Sequence, residues 1–127
     1  MAYEFWYFGG VVYGLSKYTD HQQYSNFVTT RPVVEFFIKR QESGDTHIKL
    51  YGYDLAIANG QKVAMIAAKS TKKDKSRYVC YCNVDLRINT TLSDEVKEIK
   101  KAEMGWFGSD DSKFDSGLKE FISKIRI

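Results

Sequence analysis

Short runs of aromatic and β-branched residues dominate the first part of the chain, a pattern that predicts β-strands. Two such runs, 3–8 and 11–15, are separated by Gly9 and Gly10. A Gly-Gly pair can adopt the positive φ angles of a tight turn, so the two runs are predicted to form a hairpin that is apolar on both faces. Residues 17–31 are polar without a clear period and are predicted to be a long connection.

A second hairpin is predicted after Pro32. Residues 33–40 and 46–54 are each rich in strand-forming residues, and the segment 42–45 between them contains a Ser-Gly pair that favours a turn. Alternation in the second of these strands predicts one apolar and one polar face.

The chain then contains its strongest local turn signal, Asn59-Gly60. Both residue types tolerate left-handed backbone, so a type I′ turn is predicted between strands at 55–57 and 62–68. Residues 77–88 alternate regularly between apolar and polar side chains, which predicts one long strand with one face in solvent.

The period changes near the C-terminus. Ser93 is predicted to cap a helix that runs to Met104 and ends at Gly105. Apolar residues from Phe114 to Ile125 recur at helical spacing and predict a second amphipathic helix. The predicted fold class is therefore α+β: a single domain over residues 1–127, with a mostly antiparallel sheet of about six strands, a meander of hairpins, covered on one face by two C-terminal helices.

Composition limits the broad class of protein. The 127 residues are 43% hydrophobic, 28% charged and 15% aromatic, with a formal net charge of +3. Such a balance is typical of a globular domain and is too weakly basic to indicate nucleic-acid binding without local clustering. Cys80 and Cys82 are predicted to be reduced core thiols, because i and i+2 positions of a strand suit a disulfide poorly. With no leader pattern and no apolar run long enough to span a bilayer, we expect a cytoplasmic protein without membrane insertion.

The segment 46–53 raises a functional question, because strand alternation places His47, Lys49, Tyr51 and Tyr53 on one face. Cations and stackable rings on a sheet face suit contacts with phosphates and bases. The same arrangement is also common on an ordinary solvated sheet face, where amphipathic side chains cover the strands.

A basic segment at 69–77 is the second candidate for contact with nucleic acid. It can bind phosphates by counterion release, although lysines at a hairpin tip are also the usual means of keeping it soluble. These cations, together with one ring predicted on the solvated face of the following strand, complete the nucleic-acid candidate set: Lys72, Lys73, Lys75, Arg77 and Tyr81.

The sequence contains no recognised catalytic, cofactor or metal motif. A small ribonuclease-like enzyme could use His47 as a proton shuttle and Lys49 or Arg87 to stabilise phosphate charge. The only other histidine, His21, lies in a polar stretch and is not paired with His47 by any motif. An enzyme is therefore the third hypothesis, and no catalytic residue, cofactor or metal ligand is predicted.

A loop between the helices holds Trp106 and Phe107 between glycines. Large rings at such a position either anchor a partner or fold back into the core. The leading hypothesis is a small non-catalytic module that recognises an unidentified protein through these two rings, for example as a modulator or inhibitor of a larger assembly. Single-stranded RNA or DNA binding is the alternative, and homo-oligomerisation stays open.

Overall fold

The computed structural model describes residues 3–41, 43–105 and 112–125. One six-stranded antiparallel sheet is followed by two helices, which confirms the α+β class. The elements are β1 (Tyr3–Tyr24), β2 (Phe27–Lys39), β3 (Thr46–Tyr51), β4 (Lys62–Ser70), β5 (Lys75–Asn83), β6 (Ile88–Thr91), α1 (Ser93–Met104) and α2 (Ser112–Lys124). The sheet order is β3-β2-β1-β4-β5-β6, so β4 pairs with β1 instead of continuing a simple meander after β3.

The predicted N-terminal hairpin is wrong, because β1 runs without interruption for 22 residues. Neither Gly9 nor Gly10 has a positive φ. A Cβ on Gly10 would lie 2.2 Å from the carbonyl oxygen of Lys39 and 2.8 Å from a side-chain carbon of Ile38. Glycine is thus required here for close packing against β2, which the Gly-Gly pattern did not distinguish from a turn.

The predicted connection at 17–31 is also wrong, since these residues belong to β1 and β2. The two strands pair from Thr19↔Pro32 to Tyr24↔Phe27, leaving Ser25 and Asn26 as the turn. Most side chains on both faces of this stretch are polar, and its few apolar residues do not alternate, so the pattern that identifies a strand is absent.

The hairpin after Pro32 is confirmed. Strands β2 and β3 pair from Val33↔Tyr51 to Ile38↔Thr46, and β3 alternates between buried and exposed side chains as expected. The ladder ends where the Gly52 N–H donates to the Pro32 carbonyl at 2.7 Å, and Gly52 takes a φ of +84°.

Asn59 and Gly60 form a turn, but of another type than predicted. Only Gly60 has a positive φ, +89°, and the Gln61 N–H donates to the Ala58 carbonyl at 3.2 Å, which is the pattern of a type II turn. The Asn59 side-chain oxygen accepts from the Leu15 N–H at 3.0 Å. Residues 55–57 are not a strand, so the turn leads only into β4.

The long strand predicted at 77–88 ends early, at Asn83. Asn83 is buried, donates to the Ala56 carbonyl at 3.0 Å and accepts from the Leu86 N–H at 3.0 Å, which stabilises a turn before β6. Arg87 completes this turn with a φ of +57°. Both faces of β5 are buried from Val79 onward, so the predicted solvent-facing side does not exist there.

The chain divides into two compact units. The first contains Met1–Phe8, Ala64–Cys82 and Arg87–Ile127, and the second contains Gly9–Val63 and Asn83–Leu86. In the first unit, α1 begins at Ser93 as predicted, but its N-cap residue is Leu92, without a side-chain cap. The core of this unit is made of the following buried residues: Tyr3, Ala64, Ile66, Ala68, Val79, Cys80, Cys82, Val96, Ile99, Phe114 and Leu118.

Aromatic packing connects α2 to the first residues of β1. The Tyr3 and Phe114 rings meet edge to face with centroids 5.0 Å apart, and Phe5 contacts both Phe114 and Phe121. Gly117 lies at this contact, where a Cβ would come within 3.1 Å of the Phe5 ring. Neither α1 nor α2, the helices within the described residues, is both long and apolar enough to cross a membrane.

Two glycine-to-alanine substitutions should change the free energy of unfolding in opposite directions. Gly117→Ala should raise the free energy of unfolding by up to about 1 kcal/mol, because alanine favours the helix and the half-buried Phe5 ring can shift by a few tenths of an ångström. Gly60→Ala should lower the free energy of unfolding by about 1 kcal/mol. The added Cβ would meet no other atom, but the left-handed φ at this position strains any residue that has a Cβ. Urea titration of both variants measures the signs, and two changes of the same sign would contradict this account.

Candidate protein-interaction surface

One face of the second unit is built by alternate residues of β1, β2 and β3. The opposite side of these strands is buried, including Val12, Phe36 and Ile48. We call the exposed side the outer face, and the strand register assigns to it Val11, Tyr13, Ser16, Tyr18, Asp20, Arg31, Val33, Glu35, Phe37, Lys39, His47, Lys49 and Tyr51. Of these residues Val33 is itself buried. His47, Lys49 and Tyr51 therefore lie together, as strand alternation predicts.

An aromatic row crosses all three strands of the outer face. Tyr13, Phe37 and His47 are register partners across the ladder. Tyr13 stacks on Phe37 with centroids 5.3 Å apart and an interplanar angle of 19°, and the His47 ring lies 4.9 Å from Phe37. The Tyr13 hydroxyl also donates to the carboxylate of Asp45, and this hydrogen bond raises the pKa of Tyr13. The three rings are held in place by one another.

A β-bulge in β1 sets the position of Tyr13. The register shifts between Tyr13 and Ser16, and Gly14 has a φ of +64° within the shift. A Cβ at Gly14 would come within 3.0 Å of the Phe37 ring. Glycine therefore serves both the left-handed backbone and the close approach of the ring, as is usual for a bulge that redirects a side chain.

Glu35 lies at the centre of a hydrogen-bonded group on the same face. The His47 Nε2 donates to Glu35 Oε2 at 2.5 Å, and the Tyr18 hydroxyl donates to Glu35 Oε1 at 3.2 Å. The hydrogen bond from His47, followed by that from Tyr18, lowers the pKa of Glu35. Lys49 is the register partner of Glu35 on β3.

Two cations lie over the Tyr51 ring. The Arg31 guanidinium lies 4.1 Å from the centre of the Tyr51 ring, and the Lys49 ammonium lies 5.3 Å from it. The Arg31 Nε donates to Asp20 at 3.2 Å, which fixes the guanidinium plane above the ring. The neighbouring side chains of Tyr51 and Tyr18 raise the pKa of Lys49.

The charges of the outer face balance. Arg31, Lys39 and Lys49 supply three cations, and Asp20, Glu35 and Asp45 supply three carboxylates, of which Asp45 joins the face through its contact with Tyr13. A surface that binds a nucleic-acid backbone carries a marked excess of cations. This face has none among the described residues.

The remaining ring and histidine candidates are not among the residues that the strand register assigns to this face. Tyr81 is 0% exposed, so it cannot stack on a base from its place in β5. Its burial follows from the position of β5 between β4 and β6, with both strand faces covered. Tyr53 lies in the connection after Gly52, half-buried and beyond the end of β3. His21 pairs with Thr30, on the side of β1 opposite to Asp20.

The basic segment forms the tip of the β4–β5 hairpin in the first unit, and most of its cations are engaged. Lys69 pairs with Asp74 at 2.6 Å, Lys75 with Glu98 at 3.1 Å, and Arg77 with a second acid of α1 at 3.1 Å.

Helix α1 presents an acidic side to this hairpin. Glu95 and Glu98 are one helical turn apart and bind the two β5 cations. Further along the helix, Glu103 accepts from the Ser70 hydroxyl at 2.7 Å and from the Lys72 N–H at 3.1 Å. Of the cations in this tip, only the ammonium groups of Lys72 and Lys73 lack an acidic partner among the described residues.

A shallow apolar groove of about 440 Å³ lies beside α2 in the first unit. Its apolar lining comes from Tyr3, Phe5 and Phe121, and Lys124 at its edge pairs with Glu120 at 2.7 Å. Lys113 also lines the groove, so its charged side chains are two lysines and Glu120, of which Lys124 and Glu120 already pair with each other.

Sequence reasoning missed most of the outer face. The sequence predictions do not include Tyr13, Tyr18, Arg31, Glu35 or Phe37. The first three depend on the pairing of β1 with β2, which the predicted connection at 17–31 hides. Glu35 and Phe37 lie in the predicted β2–β3 hairpin, but a predicted hairpin does not by itself set which residues face each other. The isolated Gly14 inside a strand pattern is the signal that could have indicated the bulge. The partner-binding residues predicted from sequence, Trp106 and Phe107, lie outside the described residues, so their role stays a prediction.

No protein-family model, curated protein or solved structure matches this chain. What the outer face can bind must therefore be inferred from the chemistry of its own residues.

The lowered pKa of Glu35 leads to a prediction about acid stability. A carboxylate with a lowered pKa stabilises the fold above its ordinary value of 4.5, and this contribution is lost as the pH falls through the folded-state value. Glu35→Gln should therefore be less stable than the unsubstituted protein at pH 7, and the difference should shrink below about pH 4.5. Urea unfolding from pH 7 to pH 3 measures the difference.

The control for this prediction is a His47→Phe background, which keeps a ring on Phe37 but removes the main cause of the shift. The pH dependence of the Glu35→Gln effect should be much reduced there. An equal pH dependence in both backgrounds would contradict the assigned cause.

Proposed function

We propose that this protein is a small binding module that recognises a partner protein through the outer face. The observation that supports this most is a group of half-exposed rings, each fixed by specific contacts, on an exposed sheet surface with balanced charge. Tyrosine and arginine dominate the energetically important positions of protein interfaces, and this face carries Arg31 and three tyrosines, Tyr13, Tyr18 and Tyr51.

Preorganisation strengthens the case for binding. Tyr51 is 38% exposed, yet Arg31 stacks on its ring, and Asp20 holds Arg31. Side chains already fixed in the free protein lose little conformational entropy when a partner covers them. The partner that fits best presents an apolar or aromatic group toward the tyrosines and a mixed set of charges around it.

Single-stranded nucleic acid fits the same face less well. Rings are present for stacking, but the three cations are matched by three carboxylates, so the face has little net attraction for phosphates. The two cations without an acidic partner in the basic hairpin tip, Lys72 and Lys73, belong to the first unit.

Catalysis is supported less than binding. Glu35 and His47 form a carboxylate–imidazole pair, which is a common component of acid–base sites. The pair lies on an exposed face, and neither of the two cavities described beside this face, near Tyr18 and near Tyr13, is lined by Glu35 or His47. We assign the pair to fixing the surface.

We also propose that the protein works in a reducing compartment such as the cytoplasm. Cys80 and Cys82 are buried and unbridged, with their sulfur atoms 3.9 Å apart. The neighbouring thiol of Cys82 and burial raise the pKa of Cys80, so its thiol is a poor nucleophile at neutral pH.

Removal of the Arg31–Tyr51 pair should weaken partner binding strongly without unfolding the protein. The double variant Arg31→Ala/Tyr51→Ala should lose about 2 kcal/mol or more of affinity, the size expected for central interface residues. Leu86→Ala is the matched control, since Leu86 is an exposed apolar residue of the same unit outside the outer face. Immobilised protein of each form is exposed to cell extract, and retained proteins are identified by mass spectrometry and retested by calorimetry. Equal retention by the double variant and the control would overturn the proposal.

Measuring the affinity for a mixed-sequence single-stranded oligonucleotide at several salt concentrations tests the alternative, which is single-stranded nucleic-acid binding. The slope of the logarithm of the binding constant against the logarithm of the salt concentration changes by about 0.7 for each phosphate contact that is lost. Only Lys72 and Lys73 lack an acidic partner in the described hairpin tip, so the double variant Lys72→Gln/Lys73→Gln should change this slope by no more than about 1.4. Tight binding at physiological salt with a much steeper slope would favour nucleic acid over protein as the partner.

A further inference from the structure

The hairpin formed by residues 16–24 of β1 and 27–32 of β2 extends past the strands beside it. We call these residues the arm. Strand β3 pairs with β2 only from Val33 to Ile38, and β4 begins next to Val12 and runs antiparallel to β1, away from the arm. Every arm residue whose burial is described is exposed or only half-buried. At the base of the arm Lys17 donates to the Leu55 carbonyl at 2.7 Å, and beyond this contact the arm is a two-stranded ribbon in solvent.

Strand geometry determines which backbone groups of the arm point outward. In an antiparallel pair, the N–H and C=O of alternate residues point toward the partner strand and away from it. The Pro32 carbonyl points away from β1, because it accepts from Gly52. The same parity directs the backbone groups of Val28 and Thr30 to the free edge of β2, where no described residue pairs with them.

Such an edge is a template for another strand. A two-stranded ribbon is marginally stable in water, and natural edges are usually protected by lysine, proline or a covering element. This edge has no lysine, and its proline lies at the base of the arm. Phe27 and Val28 next to the turn are 59% and 56% exposed, which is unusual for large apolar residues.

We propose that the free edge of β2 in the arm pairs antiparallel with the same edge of a second copy of this chain. The two-fold axis passes beside Thr29, so Thr29 faces Thr29, and Val28 of each copy faces Thr30 of the other. Both facing residues direct their backbone groups outward, so each of the two Val28–Thr30 pairs can exchange two hydrogen bonds.

The side chains suit this register. Thr–Thr and aliphatic–Thr neighbours are favourable across antiparallel strands. Phe27 of one copy lies opposite Arg31 of the other, so no like charges face each other. Since Arg31 already pairs with Asp20, the arm brings no uncompensated charge to the contact.

The other edge of the arm is less suited to self-pairing. The same alternation of backbone groups along β1 directs the N–H and C=O of Lys17 away from β2. A lysine on a strand edge opposes the addition of another strand. Pro32 and the turn after Tyr24 limit the β2 ladder to a few residues. We therefore expect a weak, concentration-dependent dimer in which two arms form one four-stranded sheet.

Cysteine cross-linking tests the register. Two Thr29→Cys side chains would face each other at a non-hydrogen-bonded pair, within the Cα spacing of a disulfide. Thr29→Cys should therefore form a covalent dimer under mild oxidation. Gln23→Cys, exposed on β1, should not, and the native thiols are buried. Equal cross-linking of the two variants, or none with Thr29→Cys, would overturn the proposal.

Sedimentation at increasing concentration tests the association itself. Thr30→Pro removes an outward N–H without removing a bond to β1, and symmetry removes it twice, so the Kd of the dimer should rise about tenfold or more. Thr30→Val keeps the amide and should dimerise like the unsubstituted protein. A monomer at every concentration, or a dimer indifferent to Thr30→Pro, would sink the idea. These variants leave Tyr51 and Arg31 unchanged, so this result is independent of that on partner binding.

Discussion

The hydrogen-bonding requirement of strand β1 governs the organisation of this protein. A 22-residue strand needs partners along both edges, and each edge receives them over only part of its length. β2 pairs with β1 from Val11 to the turn after Tyr24, whereas the antiparallel β4 meets β1 beside Val12 and runs toward its N-terminus. The end of each ladder determines which backbone groups are left in solvent, and this produces the arm.

The same register assembles the outer face. Once β1, β2 and β3 are aligned, rings from three separate parts of the chain form one row, and Glu35 comes within reach of both His47 and Tyr18. A slip of one residue would send every one of these side chains to the buried side. The bulge at Gly14 is therefore as important to the surface as the rings, because it sets where Tyr13 points.

Electrostatic pairing decides which charges are available for recognition. The hairpin tip that is basic in sequence meets the acidic side of α1, and three of its cations are neutralised by Asp74, Glu98 and Glu95. The glutamates recur at helical spacing, a pattern visible in the sequence, but their partners are far away along the chain. A local excess of lysine thus overstates the positive charge that a ligand would meet.

Local signals were sufficient where one short pattern had one physical meaning. The helices at 93–104 and near 114–125, the β2–β3 hairpin, the turn at Asn59-Gly60 and the α+β class all follow from apolar period and turn residues. The Gly9-Gly10 pair had two meanings, turn or close approach, and only the proximity of Ile38 and Lys39 separates them. The polar arm had no apolar period to reveal it.

By itself, the sequence determined the class of the fold, the position of both helices and the alternation that groups His47, Lys49 and Tyr51. Only the tertiary structure decided that Tyr81 is buried, that Glu35 and Tyr18 join His47, and that the basic hairpin tip is largely neutralised. The physical reason is that periodicity reports how a residue relates to its own element. Burial and charge pairing depend instead on which other elements cover that residue, and those contacts join positions far apart in the chain.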